Sequence, residues 1–160
     1  MAKSGVEDFK KKLSLLRTIG LDSMCFIYQF ADHPEFGALT NLIFTLLEEQ
    51  KISAVTSTVT VTEVFVKPEE ANDQLTINEY EKVFKHLPNL EIIPVDFSLA
   101  RLASKLRGRY RGIKTADSIQ VAAALLKGCR GFITNDNALK QIKEIEVIVI
   151  KDFSFQDKNA

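Results

Sequence analysis

Short β-forming segments alternate with amphipathic helical segments along almost the whole of this 160-residue chain. Each strand-like segment is separated from the next by a helical pattern, so consecutive strands are joined by crossovers. The alternation therefore predicts an α/β fold, a three-layer α/β/α sandwich around a central, mainly parallel sheet of about five strands. The expected strands are Thr18–Leu21, Ile52–Ser57, Leu90–Val95, Gly131–Thr134 and Val147–Ile150.

The helices between these strands are expected from the 3.6-residue repeat of their apolar positions. We expect Pro34 at the first position of one helix and a Thr76/Glu79 capping box at the start of another. The segment TVTVTEVFVKP is ambiguous, because it has the composition of a strand although Val59, Glu63 and Val66 share one helical face. A helix is favoured there, since a crossover is needed before the next parallel strand, and Pro68 should end it.

The same alternation of strands and helices indicates the domain organisation. We expect a helical extension over residues 1–17, one domain over residues 18–152 and a polar tail over residues 153–160.

Apolar residues make up 46% of the chain and charged residues 26%, as in an ordinary globular protein, and 21 basic residues balance 21 acidic ones. Bulk charge therefore gives no argument about a nucleic-acid partner.

The two cysteines, Cys25 and Cys129, form neither a disulfide framework nor a metal motif. They indicate a reducing, cytoplasmic location, with both thiols in the core. No run approaches the roughly 20 apolar residues of a membrane span, and lysines interrupt every apolar stretch near the N-terminus, so neither a membrane protein nor a signal peptide is expected.

Four acids are expected to meet at one edge of the sheet. Asp22 and Asp136 follow strands, and Asp117 lies in the first turn of a helix entering from the same side. Glu63 belongs to the helix after the second strand, and we expect it to lie on the apolar face of that helix with Val59 and Val66. Each acid also has a structural explanation: Asp22 and Asp136 as helix caps, Asp117 as a partner of the helix dipole, and Glu63 as a partner of Lys67.

Together, the four carboxylates favour a metal site. Pairs about 6 Å apart would repel by roughly 3 kcal/mol at an effective dielectric constant of about 20, and a divalent cation removes that penalty. Ligand sets made only of oxygen select Mg²⁺ or Mn²⁺, and no histidine is close in sequence to suggest zinc.

These acids and their surroundings resemble the PIN domain, a family of metal-dependent ribonucleases. The resemblance extends from Ile19 to Val149 and rests on the segments LDSMCFIY, TVTVTEVFVKP, KTADSIQVAAAL and FITNDNAL. It implies that the four acids are metal ligands and catalytic groups for RNA hydrolysis, leaving a 5′-phosphate and a 3′-hydroxyl. It also implies a small toxin of a type II toxin–antitoxin pair, with an antitoxin partner and a homodimeric state.

Other residues are expected to support this site. Ser23, Thr134 and Asn135 are candidates to hydrogen-bond the metal ligands. A segment rich in basic residues precedes Asp117, and the candidates for RNA contacts are Arg107, Arg109, Arg111 and Lys114.

Two features depart from the family pattern. Ala138 stands where some members have a further acid, which leaves open whether one metal or two is bound, and the helix before Asp22 makes the N-terminus longer than in the most compact toxins. The alternative function is a catalytically silent module of the same fold that binds RNA or protein. A receiver domain of the response-regulator type is disfavoured, because it requires paired acids after the first strand and a lysine after the last.

Overall fold

A computed structural model describes residues 3–154, and within this range a five-stranded sheet is flanked by seven α-helices. The strands are β1 (Thr18–Leu21), β2 (Ser53–Ser57), β3 (Leu90–Ile93), β4 (Gly131–Thr134) and β5 (Glu146–Val149). The helices are α1 (Lys3–Leu16), α2 (Ser23–Phe30), α3 (Gly37–Glu48), α4 (Thr58–Glu70), α5 (Gln74–His86), α6 (Phe97–Arg109) and α7 (Thr115–Leu126). Two short 3₁₀ helices cover Asn137–Gln141 and Ile150–Phe153.

All the strand pairs are parallel, and the strand order is β3-β2-β1-β4-β5. Side chains alternate between the two faces of the sheet, as the pleat requires. In β4, Ile133 packs into a core with α1, α2 and α3, whereas Phe132 packs into a core with α6 and α7. The predicted α/β/α sandwich is therefore confirmed, with a parallel sheet as its middle layer.

Gly20 allows α7 to lie close against the central strand. A Cβ atom at this position would lie 2.5 Å from Cβ of Ala124 and 2.8 Å from Cδ2 of Phe132. We expect Gly20→Ala to lower the free energy of unfolding by about 1–3 kcal/mol, the usual cost of overpacking, and Ala124→Gly to recover part of this loss. Urea unfolding measures both effects. In the matched control Gly131→Ala the new methyl meets the flexible end of Leu16, at 2.6 Å, so a smaller loss is expected.

The ambiguous segment after β2 is a helix, as favoured, but Pro68 does not end it. Helix α4 continues to Glu70, with Pro68 buried in its last turn. Pro68 has no N–H to bond to the carbonyl four residues earlier, but the carbonyls of Lys67 and Pro68 still accept hydrogen bonds from N of Ala71 and N of Asp73 at the end of the helix.

Two predicted helix starts were wrong. Helix α5 begins at Gln74 rather than Thr76, because the carboxylate of Asp73 accepts hydrogen bonds from the backbone N–H and the hydroxyl of Thr76 and so caps the helix earlier. Pro34 begins a turn rather than α3. Nδ1 of His33 accepts hydrogen bonds from the next two backbone N–H groups of that turn, and the helix starts at Gly37.

Helix α1 contributes to the core on one side of the sheet. Phe9 and Leu13 are completely buried, and the ring of Phe9 lies 5.1 Å from that of Phe153.

Most of the predicted polar tail, residues 155–160, lies outside the described residues. Cys25 and Cys129 are both buried, as predicted. Within residues 3–154, no helix is long and apolar enough to cross a membrane.

Candidate functional site

The strand order places a topological switch point between β1 and β4, and the predicted acids lie around it. From β1 the chain continues to β2 and β3 on one side, while β4 and β5 lie on the other. Asp22 directly follows β1, and Asp136 follows β4 by two residues. Helix α7 runs back toward the start of β4, so its first turn, which carries Asp117, lies at the same edge. Ligands of open parallel sheets bind at this place.

Asp22 is the most buried of the four acids, with 7% of its surface exposed. Its Oδ1 accepts a hydrogen bond of 2.8 Å from N of Ser23, which caps α2, and its Oδ2 accepts one of 2.7 Å from the hydroxyl of Thr134. Burial, together with the charges of Asp117 and Glu63, raises the pKa of Asp22 to about 6, although the two hydrogen bonds oppose the increase. Asp22 therefore caps a helix and also carries a destabilised negative charge.

Asp117 and Asp136 form a second pair of coupled carboxylates. Partial burial raises the pKa of Asp117, the charges of Asp136 and Glu63 add to the increase, and the charge of Lys114 opposes it. Oδ1 of Asp136 accepts a hydrogen bond of 2.9 Å from N of Ala138 and caps the 3₁₀ helix. The capping explanation thus holds for Asp136 as it does for Asp22, yet both acids remain electrostatically coupled to Asp117.

Glu63 is held by Ser23. The hydroxyl of Ser23 donates a hydrogen bond of 2.5 Å to Oε2 of Glu63, which links α2 to α4. The prediction that Glu63 lies on an apolar face was wrong: Glu63 is exposed, because α4 buries Thr60, Val64 and Pro68 instead. The expected ion pair with Lys67 is not among those of residues 3–154.

The four carboxylates fit a hard divalent cation by chemistry and charge. All their donors are oxygen, and within residues 3–154 none of the four lies in an ion pair, although one is buried and two have raised pKa values. However, no three His, Cys, Asp or Glu side chains in this range are grouped as a metal cage. The acids are therefore neighbours rather than an assembled coordination shell.

The predicted supporting residues have different roles. Thr134 donates to Asp22 and accepts a hydrogen bond of 3.1 Å from N of Asp136, so it connects two of the acids. Asn135 donates to the hydroxyl of Tyr28 and accepts from N of Lys151. It therefore fixes the loop after β4, and its hydrogen bonds in the described structure do not reach the carboxylates.

The basic residues before Asp117 are only partly free for a ligand. Arg109 forms an ion pair with Glu144, whose other carboxylate oxygen accepts a hydrogen bond from Tyr110. Nε of Arg107 donates to the carbonyl of Ile113. Arg111 and Lys114 are exposed and lie in none of the ion pairs of residues 3–154. They are the more accessible pair of cations.

A buried polar network beneath the acids was not predicted. Gln120 is 2% exposed, and its amide contacts Ser57 and Thr60, which are completely buried. The sequence signal was that Gln120 is the one polar residue in the segment IQVAAALL. A polar side chain on such a face requires a partner, but its position 60 residues away cannot be deduced from the spacing.

The fold resembles that of solved structures. One, of VapBC2 from Rickettsia felis bound to a DNA fragment from its promoter, has 18% identity, a TM-score of 0.63, and coverage of 82% of this chain and 98% of that chain. A toxin–antitoxin complex from Klebsiella pneumoniae has 20% identity, a TM-score of 0.60, and coverage of 83% and 97%. DNA-bound VapBC from Salmonella typhimurium has 18% identity, a TM-score of 0.62, and coverage of 84% and 98%. No curated protein sequence matches significantly.

The sequence itself also identifies the family. The PIN domain model matches residues 19–145, which run from the second residue of β1 to the residue before β5 and include all four acids. The match agrees with the five-stranded parallel sheet and with the position of the acids at its switch point. This chain is therefore a member of the PIN domain family.

Proposed function

We propose that the protein is a metal-dependent ribonuclease that hydrolyses RNA phosphodiester bonds with Mg²⁺ or Mn²⁺. The observation that carries the proposal is the buried carboxylate of Asp22, which has no cationic partner among the described residues and is coupled to Glu63 and Asp117. A buried carboxylate without a cationic partner is costly, and such groups are concentrated at sites where a cation or a substrate compensates for the charge. Membership of the PIN domain family adds to this argument.

In the proposed mechanism Asp22, Asp117 and Asp136 would hold the cation, and Glu63 would either bind it or orient the attacking water. The cation would supply a more acidic coordinated water and neutralise charge on the scissile phosphate. Ser23 fixes one oxygen of Glu63 and leaves the other free to accept a proton or a hydrogen bond. Thr134 holds Asp22 in its orientation through Oδ2. Lys114, one turn before Asp117, would balance the charge of the phosphate.

The proposal is tested with purified protein and a labelled single-stranded RNA. We expect cleavage with Mg²⁺ or Mn²⁺ and none in excess EDTA, and a DNA strand of the same sequence should be cut far more slowly. Cleavage that continues in EDTA would contradict the metal mechanism. An absence of cleavage with every divalent cation, together with retained RNA binding, would favour the silent module.

The silent module has one observation in its favour, since no three metal-binding side chains of residues 3–154 are grouped as a cage. Calorimetric titration with Mn²⁺ separates the two functions without a substrate. A catalytic site should bind Mn²⁺ with a dissociation constant below the millimolar range, whereas a silent module should not bind it.

We propose that Arg111 and Lys114 contribute more to RNA contacts than Arg107 and Arg109 do. The latter two already interact within the protein, with the carbonyl of Ile113 and with Glu144. We expect the double substitution Arg111→Gln and Lys114→Gln to weaken RNA binding about tenfold at low salt. It should also reduce the slope of log K against log salt by about 1.4, because each contact to single-stranded nucleic acid contributes about 0.7. Fluorescence anisotropy across a salt series measures both quantities.

The matched control for this prediction is the double substitution Arg17→Gln and Arg130→Gln. Both arginines are exposed and precede β1 and β4, at the opposite edge of the sheet from the acids. The control removes the same charge, so an equal loss of affinity in the two variants would show a non-specific charge effect and would remove Arg111 and Lys114 from the interface.

We also propose that the protein is the toxin of a type II pair, bound by an antitoxin, and that it forms a homodimer. The structures described above, which include toxin–antitoxin complexes, support this proposal because their fold is similar to that of this chain. A groove of about 400 Å³ between α2, α3 and α5 offers a surface for the antitoxin, with Phe30, Tyr80 and Val83 on its wall and Glu48 and Glu79 at its rim. Exposed Phe97 (81%) offers a contact to a second copy.

Expression in a bacterial host tests the toxin proposal. Growth should stop with the wild-type protein and continue with a variant that lacks a proposed metal ligand. Light scattering tests the dimer, and a monomer at micromolar concentration would contradict that part of the proposal. An encoded DNA-binding partner next to this reading frame would support the antitoxin.

A further inference from the structure

A chain of hydrogen bonds between buried side chains connects three of the segments that carry the acids. Nε2 of Gln120 donates to the hydroxyl of Thr60 at 2.6 Å, and the hydroxyls of Thr60 and Thr56 lie 2.6 Å apart. The hydroxyl of Thr56 in turn donates to the carbonyl oxygen of Leu21 at 2.9 Å. The chain has one consistent direction, from the amide of Gln120 through two hydroxyls to a backbone carbonyl.

The other half of the Gln120 amide is also engaged. Oε1 accepts hydrogen bonds from the hydroxyl of Ser57 at 2.8 Å and from N of Ser57 at 3.1 Å. The hydroxyl of Ser57 itself accepts a bond from N of Val59 and so caps α4. Gln120 therefore fixes α7 against the junction where β2 ends and α4 begins. The side-chain nitrogen and oxygen atoms of this network that are inaccessible to solvent all have partners in the described structure.

Three residues of this chain of hydrogen bonds lie close in sequence to proposed ligands. Leu21 directly precedes Asp22, Thr60 lies one helical turn before Glu63, and Gln120 lies one turn after Asp117. Buried hydrogen bonds are directional and costly to break, so they fix the relative position of elements better than apolar contacts do. The network thus connects β1, α4 and α7 within one to three residues of Asp22, Glu63 and Asp117.

We propose that the network of Thr56, Ser57, Thr60 and Gln120 is a positioning device that sets the spacing of Asp22, Glu63 and Asp117 for metal binding. The inference rests on the proposed function, since it assigns the network a role in assembling that site. Its residues touch neither metal nor substrate, and they act through the backbone segments that carry the acids.

The proposal is tested with Thr60→Val, which preserves the shape of the buried side chain and breaks the chain of hydrogen bonds at its centre. We expect the dissociation constant for Mn²⁺, measured by calorimetry, to rise about tenfold or more, at the lower end of the range for lost ligand support. Thr60→Ser keeps the hydroxyl and should restore wild-type affinity. Hydrogen exchange should also increase together at the amides near Asp22, Glu63 and Asp117.

The matched control is Thr40→Val. Thr40 is also completely buried, and its hydroxyl donates to Oε1 of Gln29 and to the carbonyl of Gly37, away from the four acids. This variant should lose stability in the same way as Thr60→Val but bind Mn²⁺ with a dissociation constant within twofold of the wild type. If Thr60→Val does not fold, Thr56→Val interrupts the same chain beside Leu21 and should give the same weakening.

The outcomes separate the two proposals. If the wild-type protein binds no Mn²⁺, the proposed function is overturned, and the positioning role is overturned with it. If the wild type binds Mn²⁺ and the Thr60→Val and Thr56→Val variants bind it equally well, only the positioning role is overturned. An equal loss of affinity in Thr40→Val would also overturn it, because the effect would then follow stability alone.

Discussion

Asp117→Asn is expected to abolish metal-dependent RNA cleavage, with a loss of at least about 100-fold. Outer partners of a metal ligand alone contribute about 10–100-fold, so the loss of a ligand should reach or exceed the upper end of that range. The fold should be preserved, because asparagine has the same shape and removes the repulsion with Asp136 and Glu63 that helps to raise the pKa of Asp117. Initial cleavage rates with Mn²⁺ and thermal unfolding measure the two effects.

Asp8→Asn is the matched control for this prediction. Asp8 also lies on a helix, α1, and is exposed, so the substitution removes one negative charge without touching the four acids. It should leave both the cleavage rate and the melting temperature unchanged. Cleavage by Asp117→Asn at more than a tenth of the wild-type rate would remove Asp117 from the set of metal ligands.

The fold was predictable because the signals that set it are local. Strand composition and helical periodicity gave the order of elements, and all five strands lie within two residues of the expected bounds. The wrong helix ends have local causes of another kind. Asp73 competes with Thr76 for the cap of α5, and the choice depends on which residue reaches the free N–H groups. Pro68 is tolerated because of where it lies relative to the end of α4.

The environment of the acids was less predictable, because it depends on contacts between distant residues. Glu144 neutralises Arg109 from 35 positions away, and Ser23 holds Glu63 from 40 positions away. The strand order that makes β1 and β4 neighbours cannot be deduced from the alternation of elements alone. The burial of Gln120 has the same origin, since its partners lie on another strand and helix.

The second large effect concerns the metal-free protein. We expect the charged carboxylate of Asp22 to lower its free energy of unfolding at neutral pH. Burial raises the pKa of Asp22 from 3.8 to about 6, so the folded protein binds its proton more tightly than the unfolded chain does. The stability that the folded protein gains from this tighter proton binding is complete below about pH 4 and is lost as the pH rises through about 6. Its size is about 3 kcal/mol, since one pKa unit corresponds to about 1.4 kcal/mol.

Asp22→Asn should remove this dependence. In EDTA at pH 8 the variant is expected to be more stable than the wild type by about 2–3 kcal/mol, and at pH 4 the two should have nearly equal free energies of unfolding. Chemical denaturation at several pH values measures the difference. Asp8→Asn again serves as the control. The difference in free energy of unfolding between Asp8→Asn and the wild type should stay the same from pH 4 to pH 8. A gap between Asp22→Asn and the wild type that is the same at pH 4 and pH 8 would contradict the raised pKa.

Mn²⁺ should reverse the order of the two proteins at pH 8. A cation at about 1,000 times its dissociation constant stabilises the folded state by about 4.1 kcal/mol, which exceeds the deficit of the wild type, and only the wild type should gain this, because asparagine supplies no charge to bind the cation. At pH 5 the proton competes for Asp22, so the wild type should gain less from the same concentration of Mn²⁺. A reversal at pH 8 that weakens at pH 5 would connect the cost of burying Asp22 to the binding of the cation that offsets it.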